Sequence, residues 1–248
     1  MRVIINADDL GAREAVNDAI FDTMSRKCVS SATLLANGPC FEQAVQQLAS
    51  FPNCSFGVHL NITEFRPLSF DGGLGTILDE DGFFRGNIEE VRKTPFLLLA
   101  IIKEFCAQIE RLLSFGVKIS HIDSHHHVHT LSHIFPILKY LQNRYRLKRV
   151  RISYNIYKPS ERPSRNLLLK KSIYNIALKH CYKTQTTAGF TDLVAFFETV
   201  KLNEIQHPSV EIMVHPGSTM NEAEDQLLSS VGREGLPVKV NLINYNEL

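Results

Sequence analysis

The chain has 248 residues, of which 44% are hydrophobic and 21% charged, and its formal net charge is +1. This hydrophobic fraction is ample for a core, and the balanced charge argues against a general attraction to nucleic acid or to an anionic membrane surface. The longest apolar run, at 96–102, is too short to span a bilayer, and Asp8 and Asp9 stand too early for the apolar region of a secretory signal peptide. The five cysteines are odd in number and form no CxxC pair, so we expect reduced thiols and a cytoplasmic protein.

Short apolar runs alternate with helix-like segments along the whole chain. In chain order, the pattern predicts a strand at 3–6, a helix at 15–26, a strand at 29–35, a helix at 41–48, a strand at 55–59, a helix at 95–115, a strand at 119–122, a helix at 134–142, a strand at 148–152, a helix at 167–181, a strand at 211–214, a helix at 221–231 and a final strand at 238–243. The glycine-rich stretch 63–84 and the proline-containing stretch 154–165 are predicted to be loops.

The alternation of strands and helices predicts parallel strands joined by crossover helices. About six or seven strands are too many for a small sheet, and no GxGxxG motif follows the first strand. The predicted architecture is therefore a distorted or incomplete (β/α) barrel of the TIM type, with residues 1–248 forming a single domain. An open, doubly wound sheet is the alternative.

Polar side chains stand at the ends of four predicted strands. Asp8 and Asp9 follow the first strand, His59 ends the third, the histidine-rich run 121–129 leaves the fourth, and His215 ends the strand at 211–214. Parallel barrels place their chemistry at the carboxyl ends of the strands, so these four places are expected to form one site. Taken alone, His59 or His215 could equally be a histidine without a role.

Half of the ten histidines lie in the run HIDSHHHVH. In an extended backbone His125, His127 and His129 would share one face, and His126 would point away. A catalytic metal site uses three protein ligands and keeps an open position, so the remaining histidines and Asp123 are better suited to orienting a ligand from behind. The competing interpretation is a solvated histidine-rich loop.

Asp8 and Asp9 are adjacent in an extended segment, so their carboxylates point in different directions. One can bind a metal ion while the other faces the reaction centre. The competing interpretation is that an aspartate caps the helix predicted at 15–26.

Five motifs occur in a fixed order: NADDLG at 6–11, TLLANG at 33–38, GVHLN at 57–61, HIDSHHHVH at 121–129 and EIMVHPG at 211–217. Together they resemble the YdjC-like family, whose best-known members are chitooligosaccharide (carbohydrate) deacetylases. The resemblance extends from one end of the chain to the other. It implies a distorted (β/α) barrel, hydrolysis of an N-acetyl group on an amino sugar, and one divalent metal ion, Mg²⁺ or Zn²⁺.

Carried onto matching positions, the resemblance implies a metal-binding triad of Asp9, His59 and His125. Asp8 would be the base, and His215 the acid or the partner of the oxyanion. The residues implied in supporting roles are Asn37 and Arg151, as substrate contacts, and Asp123 and His127, as partners of the ligands. The residues after Arg151 depart from the family's substrate motif, so the resemblance supports the catalytic chemistry better than the usual substrate.

The choice of the second histidine ligand has an alternative. His121 and His125 have the HxxxH spacing found in a different polysaccharide deacetylase family. A backbone that leaves a strand does not align positions i and i+4 as a helix does, which favours His59 over His121.

Three other functions compete with sugar deacetylation. Another metal-dependent amidohydrolase would usually carry HxH on its first strand, and a glycosidase would use paired carboxylates without a metal. A sugar-binding or interaction protein would hold a structural metal with four ligands. The expected partner is a small molecule or an oligosaccharide, with no nucleic acid or membrane, and a homodimer is left open.

Overall fold

The computed structural model describes residues 1–86, 88–181, 183–202, 207–218 and 222–248. The strands are β1 (Arg2–Leu10), β2 (Ser31–Leu34), β3 (Ser55–Leu60), β4 (Ile119–Ser124), β5 (Gly189–Asp192), β6 (Ser209–Val214) and β7 (Asn241–Leu242). The α-helices are α1 (Glu14–Ser25), α2 (Phe41–Gln47), α3 (Pro95–Ser114), α4 (Phe135–Tyr145), α5 (Arg165–His180), α6 (Leu193–Lys201) and α7 (Glu222–Glu234). No helix in these described ranges is long and apolar enough to cross a membrane.

The strands form one parallel sheet in the order β4-β3-β2-β1-β6-β5, and β7 pairs with the first residues of β1. Residues 3–8 of β1 are all buried, which is typical of a parallel strand covered on both faces. Each strand therefore delivers its carboxyl end to the same side of the sheet.

An extended segment links the two edge strands of this sheet. Ile122 of β4 donates its N–H to the carbonyl of Arg149 at 2.9 Å, and Arg151 donates back to Ile122 at 3.0 Å. Farther along the segment, Asn155 and Ile156 both donate to the carbonyl of Phe190 in β5 at 3.2 Å. The sheet thus curls into an incomplete, distorted (β/α) barrel, which confirms the predicted architecture over the open sheet.

Most predicted elements are present with shifted ends, and the differences lie in the second half of the chain. The predicted strand at 148–152 forms only isolated bridges, to β4 and to Gln185. The predicted final strand is reduced to Asn241–Leu242, and the predicted start of the last helix, Asn221, lies outside the described residues. The sequence analysis missed β5 and α6: four residues are too few to show a period, and a short apolar run fits helix and strand equally.

The interior of the barrel is polar as well as hydrophobic. Arg151 is the largest fully buried side chain, and Glu211 and Tyr245 are also completely enclosed. Buried charges require partners. Arg151 contacts both Glu211 and Asp8, and Asp8 lies near the end of β1.

Candidate active site

The end of β1 separates two adjacent carboxylates. The pairing of β1 with β2 shifts register between Ala7 and Leu10, and Asp9 has a left-handed φ of +68°. Asp8 therefore turns to Arg151 inside the barrel, whereas Asp9 contacts histidines at the surface of a pocket. Neither carboxylate caps α1, whose N-cap residue is Arg13, so the capping interpretation is wrong.

The carboxylate of Asp9 lies between two imidazoles. Its Oδ1 is 3.2 Å from Nε2 of His59 and 2.8 Å from Nδ1 of His125. His59 comes from the end of β3 and His125 directly follows β4, so three strand ends bring these donors together. One ligand atom from each lies within 4.8 Å of the others, the spacing of groups that can share one ion.

Each of these imidazoles has a carboxylate at its other nitrogen. His59 Nδ1 is 2.7 Å from Oδ1 of Asp123, and His125 Nε2 is 3.5 Å from Oε2 of Glu64. Such partners fix the ring orientation and the nitrogen that faces a metal. Asp123 thus contacts His59, and Glu64, which the sequence did not single out, contacts His125.

The electrostatics of the triad fit a cation. Burial opposes protonation of His59, but Asp123 and then the aspartates at the end of β1 raise its pKa to about 10. Burial also opposes protonation of His125, whereas Asp9 and Glu64 raise its pKa to about 9. The same negative field that favours a proton on these rings favours a divalent cation between them.

The histidine run does not continue in an extended form, so the expectation that alternate histidines share a face is wrong. Residues His125–Thr130 form a 3-10 turn in which His126 and His127 have φ of +49° and +54°. Oγ of Ser124 accepts a hydrogen bond from the N–H of His129 at 2.9 Å and lies 2.5 Å from its Nδ1, which folds the chain back. Of the run, only His125 reaches the triad with Asp9 and His59.

His127, expected to support a metal ligand, instead lines the pocket. Its ring packs edge-on against Phe190, with centroids 5.5 Å apart. Burial lowers the pKa of His127 to about 3, so the ring is neutral at physiological pH. The ring of His127 therefore forms an uncharged part of the pocket wall.

His121 lies deeper, in the barrel interior. Its ring stacks on Tyr245 with centroids 3.5 Å apart and planes 7° from parallel, and its Nδ1 is 2.8 Å from Oγ of Ser120. It belongs to none of the ligand groups found among the described residues. The geometry therefore favours His59, not His121, as the partner of His125.

A buried ion cluster underlies the pocket. The two terminal nitrogens of Arg151 each donate a hydrogen bond of 2.7 Å to Asp8, Nη1 also lies 2.9 Å from Asp123, and Nε lies 2.8 Å from Glu211. Burial opposes ionisation of Asp8, but Arg151 holds the pKa of its carboxyl well below the usual range. The hydroxyl of Tyr245 donates to Glu211 from the other side.

This cluster corrects the expectation that Arg151 contacts substrate, because the side chain is fully buried. The sequence analysis also missed Glu211 and Tyr245. A charged residue within the apolar strand EIMV was the available signal for Glu211, since a carboxylate in a buried strand needs a cationic partner.

Asn37 likewise does not line the pocket. It is 8% exposed, and its Nδ2 donates to the carbonyls of Glu64 and Arg66, each at 3.1 Å. Both N–H groups of the Asn37 amide bind backbone carbonyls of the following loop. Asn37 therefore stabilises that loop and does not have the substrate contact expected for it.

His215 follows β6 and faces the same pocket as the triad. Its N–H donates to Glu224 of α7, and its Nδ1 lies 3.8 Å from the same carboxylate. Burial opposes protonation, but Glu224 and Asp8 raise the pKa of His215 above its ordinary value. The pocket of about 640 Å³ is thus lined by the carboxylate of Asp8, whose pKa is lowered, and by His215, whose pKa is raised.

Comparisons with known proteins agree with this geometry. The family profile described as YdjC-like protein matches residues 2–236. A carbohydrate deacetylase of Brevibacillus brevis is 33% identical over 217 residues, which cover 87% of this chain and 81% of that protein. A carbohydrate deacetylase of Geobacillus stearothermophilus is 37% identical over 155 residues, which cover 58% of this chain.

The match to the Geobacillus protein spans only 57% of that protein's length, and a similar match to a carbohydrate deacetylase of Oceanobacillus iheyensis spans 59%. Among solved structures, a protein of Enterococcus faecalis V583 described as a cellobiose-phosphate cleavage protein superposes with a TM-score of 0.73. That alignment covers 99% of this chain and 98% of the other at 22% identity, so it supports the fold alone.

Proposed function

The chain belongs to the YdjC-like family, and on that premise we propose that it hydrolyses the acetamide group of an N-acetylated amino sugar or oligosaccharide, with one divalent metal ion. One observation carries the proposal: the triad of Asp9, His59 and His125 faces the same pocket as Asp8 and His215. The names of the relatives, carbohydrate deacetylases, indicate the class of substrate.

Asp9, His59 and His125 would hold the metal ion. Three protein donors at the wall of an open pocket leave coordination positions free, as catalytic rather than structural sites do. When bound there, a divalent ion supplies Lewis-acid polarisation of the acyl oxygen and of water. Two imidazoles favour zinc or another transition metal, whereas the family resemblance suggests magnesium.

Asp8 would act as the base. Arg151 keeps its carboxylate ionised and fixes it with two hydrogen bonds, and Asn6 donates a third at 2.8 Å. These contacts also lower the pKa of Asp8, so its carboxylate is ionised before the reaction and held in a fixed position, although its pKa is not matched to that of the attacking water. It would take the proton of the attacking water.

His215 would act as the acid. Its raised pKa favours the protonated ring, and Glu224 holds the residue from the side of α7. An amine is a poor leaving group unless its nitrogen receives a proton, and a protonated imidazole beside the pocket can supply one. Acid and base come from different strands, so each can be held in its own protonation state.

The test combines metal analysis with product analysis. The purified protein is expected to contain about one divalent ion per chain and to release acetate and free amine from N-acetylglucosamine or N,N′-diacetylchitobiose in equal amounts. His59→Ala should lose both metal and activity. Its control is His126→Ala, which removes an exposed imidazole from the same pocket but outside the proposed triad and should keep the metal.

Full metal occupancy in His59→Ala would contradict the ligand set. Bound metal in the wild type without acetate release from any N-acetylated sugar would contradict the deacetylase proposal and favour a sugar-binding protein.

A further inference from the structure

We propose that Phe65 is an aromatic platform for a sugar ring, and that Asn37 and Asn61 are positioning residues that hold it. This inference rests on the proposed function, because it supplies the binding surface for a carbohydrate in the same pocket. It concerns binding of the sugar, not the chemical step.

The first observation is backbone strain at Phe65. Its φ is +63°, in the left-handed region that a bulky residue rarely occupies. Such a conformation persists only where the surroundings enforce it, and strained residues of this kind cluster at ligand sites. Glycine would adopt the turn without strain, so the presence of phenylalanine indicates that the ring itself is needed.

The second observation is a pair of buried amides that enforces the turn. Asn61 Oδ1 accepts hydrogen bonds from the N–H groups of Thr63 and Glu64 at 2.9 and 3.1 Å. Asn61 Nδ2 donates to the carbonyl of Glu64 at 2.8 Å and to Oδ1 of Asn37 at 3.1 Å. Asn37 in turn donates to the carbonyls of Glu64 and Arg66.

The carbonyl of Phe65 is engaged as well, accepting a hydrogen bond from the N–H of Phe84 at 2.9 Å. Three successive carbonyls, at 64, 65 and 66, are therefore fixed by hydrogen bonds. The turn is rigid in a part of the chain that the sequence predicts to be a loop. Asn37 and Asn61 are almost fully buried, and their side-chain amides form hydrogen bonds with this turn and with each other.

The third observation is the place of the ring. Phe65 lines the pocket together with Asp9, His59 and His125, and its side chain is partly exposed. The preceding residue, Glu64, touches His125, so the turn is anchored directly beside the triad. Besides its histidines and carboxylates the pocket is lined by the aliphatic side chains of Ala12, Val16, Met213 and Pro216, and Phe65 adds to them an aromatic ring that can contact the apolar face of a ligand.

A pyranose with equatorial hydroxyls presents such a surface, the flat face formed by its axial C–H bonds. An aromatic face carries a partial negative charge and is complementary to these C–H groups. The apolar face of an amino sugar can thus rest on Phe65 while the N-acyl group reaches the triad in the same pocket.

The platform can be tested by binding and by kinetics together. The binding probe is chitobiose, the doubly deacetylated disaccharide, titrated by calorimetry because it carries no acetamide to hydrolyse. Phe65→Ala and Phe65→Gly should each weaken its Kd roughly tenfold, the scale of losing part of a buried aromatic contact. Both should raise KM for N,N′-diacetylchitobiose by a similar factor, with kcat and metal content nearly unchanged.

Thermal unfolding separates a platform from a packing role. Glycine relieves the left-handed strain, so Phe65→Gly should have a Tm at least as high as Phe65→Ala. The control is Phe70→Ala, which removes a fully exposed ring from the same loop and should bind chitobiose as the wild type does. Unchanged chitobiose affinity in Phe65→Ala would overturn the platform.

The positioning role of Asn37 is tested by a double-mutant cycle. Asn37→Ala alone should raise KM, whereas Asn37→Ala in the Phe65→Ala background should have no further effect. Additive effects would overturn the positioning role. A wild type that binds chitobiose but releases no acetate would leave the platform standing and refute the proposed function, whereas a wild type that does not bind chitobiose would refute the platform.

Discussion

Replacing Arg151 by methionine is the sharpest perturbation of this fold. The substitution keeps an unbranched hydrocarbon stem, in a shorter and uncharged side chain, and removes the guanidinium that contacts Asp8, Asp123 and Glu211. All three carboxylates are buried, so they cannot turn to water for compensation. We expect a large loss of stability from charge rather than from packing.

The magnitude follows from the number and burial of these contacts. Removing one partner of a single buried ion pair costs about 3–5 kcal/mol. Three stranded carboxylates would not cost three times as much, because a buried acid whose counter-charge is lost takes up a proton instead. We therefore expect a loss of about 4 kcal/mol at pH 7, or roughly a thousandfold in the unfolding equilibrium, against a typical total of about 5–15 kcal/mol.

The pH dependence gives the prediction its sign. In the wild type the pKa of Asp8 is lowered from its ordinary 3.8, so its contribution to stability is present above pH 3.8 and is lost as the pH falls through the folded-state pKa. Without Arg151, burial raises the pKa values of the carboxyls at 8 and 211, and stability then decreases as pH rises through them. The difference between Arg151→Met and wild type should consequently be smaller at pH 4 than at pH 7.

The assay is urea unfolding followed by circular dichroism at both pH values. Arg144→Met is the control, because Arg144 forms an exposed pair with Glu110 at 3.3 Å and its loss should leave the urea midpoint close to that of the wild type. Burial already raises the pKa of Glu211 to about 7, so adding Glu211→Gln to Arg151→Met should restore only the part of the loss that comes from keeping this carboxyl ionised or protonating it at pH 7. A loss below about 1 kcal/mol for Arg151→Met, or the same loss at both pH values, would refute this reasoning.

Three further substitutions test the roles proposed in the pocket. Asp8→Asn should keep the metal but lower kcat by roughly 10²–10⁴-fold, the usual contribution of a positioned base, and metal loss on elemental analysis would instead make Asp8 a ligand. His215→Ala should abolish most acetate release from an acetamide but spare a phenyl acetate ester, whose leaving group needs no proton; equal losses on both would place His215 at the oxyanion or in substrate binding. Asp123→Asn removes the negative partner of His59 and should weaken metal affinity about 10–100-fold in a chelator competition, whereas unchanged affinity would mean that Asp123 serves only Arg151.

The first half of the barrel could be predicted from the sequence because its strands are apolar runs separated by amphipathic helices. A clear helical pattern follows the run that forms β1 and another precedes the run that forms β3, so their type and order follow from periodicity. Periodicity does not predict β5, which is only four residues long, and it wrongly predicts a strand at 148–152. That segment is extended, but it bridges the edges of the barrel as a link with only isolated bridges.

The candidate site was predictable to the extent that parallel strands end on one side. This rule brings together Asp9, His59, His125 and His215 although they lie far apart in the chain. The rule does not predict which side chains lie in the barrel interior beneath these residues. Whether Arg151 faces the pocket or the barrel interior depends on how an extended link crosses between two sheet edges, which no local pattern encodes.

The geometry of the histidine run depended on a local competition that sequence patterns do not resolve. Alternation of His125, His127 and His129 suits a strand, but a strand ends where its backbone finds a better partner. Oγ of Ser124 supplies one by accepting from the N–H of His129, and the turn that follows places two histidines in left-handed conformations. Serine and threonine side chains often offer the backbone such an alternative at the end of an element.

The buried cluster and the triad depend on each other through shared carboxylates. Asp123 contacts both His59 and Arg151, so one side chain orients a proposed metal ligand and helps to neutralise the guanidinium that fixes Asp8. Among the described residues, three carboxylates, at 8, 123 and 211, contact the guanidinium of Arg151, and a fourth, at 9, contacts His59 nearby. That excess of negative charge is costly in a barrel interior unless cations offset it, and a divalent ion at the triad would do so while serving catalysis. The carboxylates that make this region suitable for a metal ion therefore also require Arg151 as a counter-charge. This requirement explains why a fully buried arginine lies under the pocket that contains the proposed metal ligands.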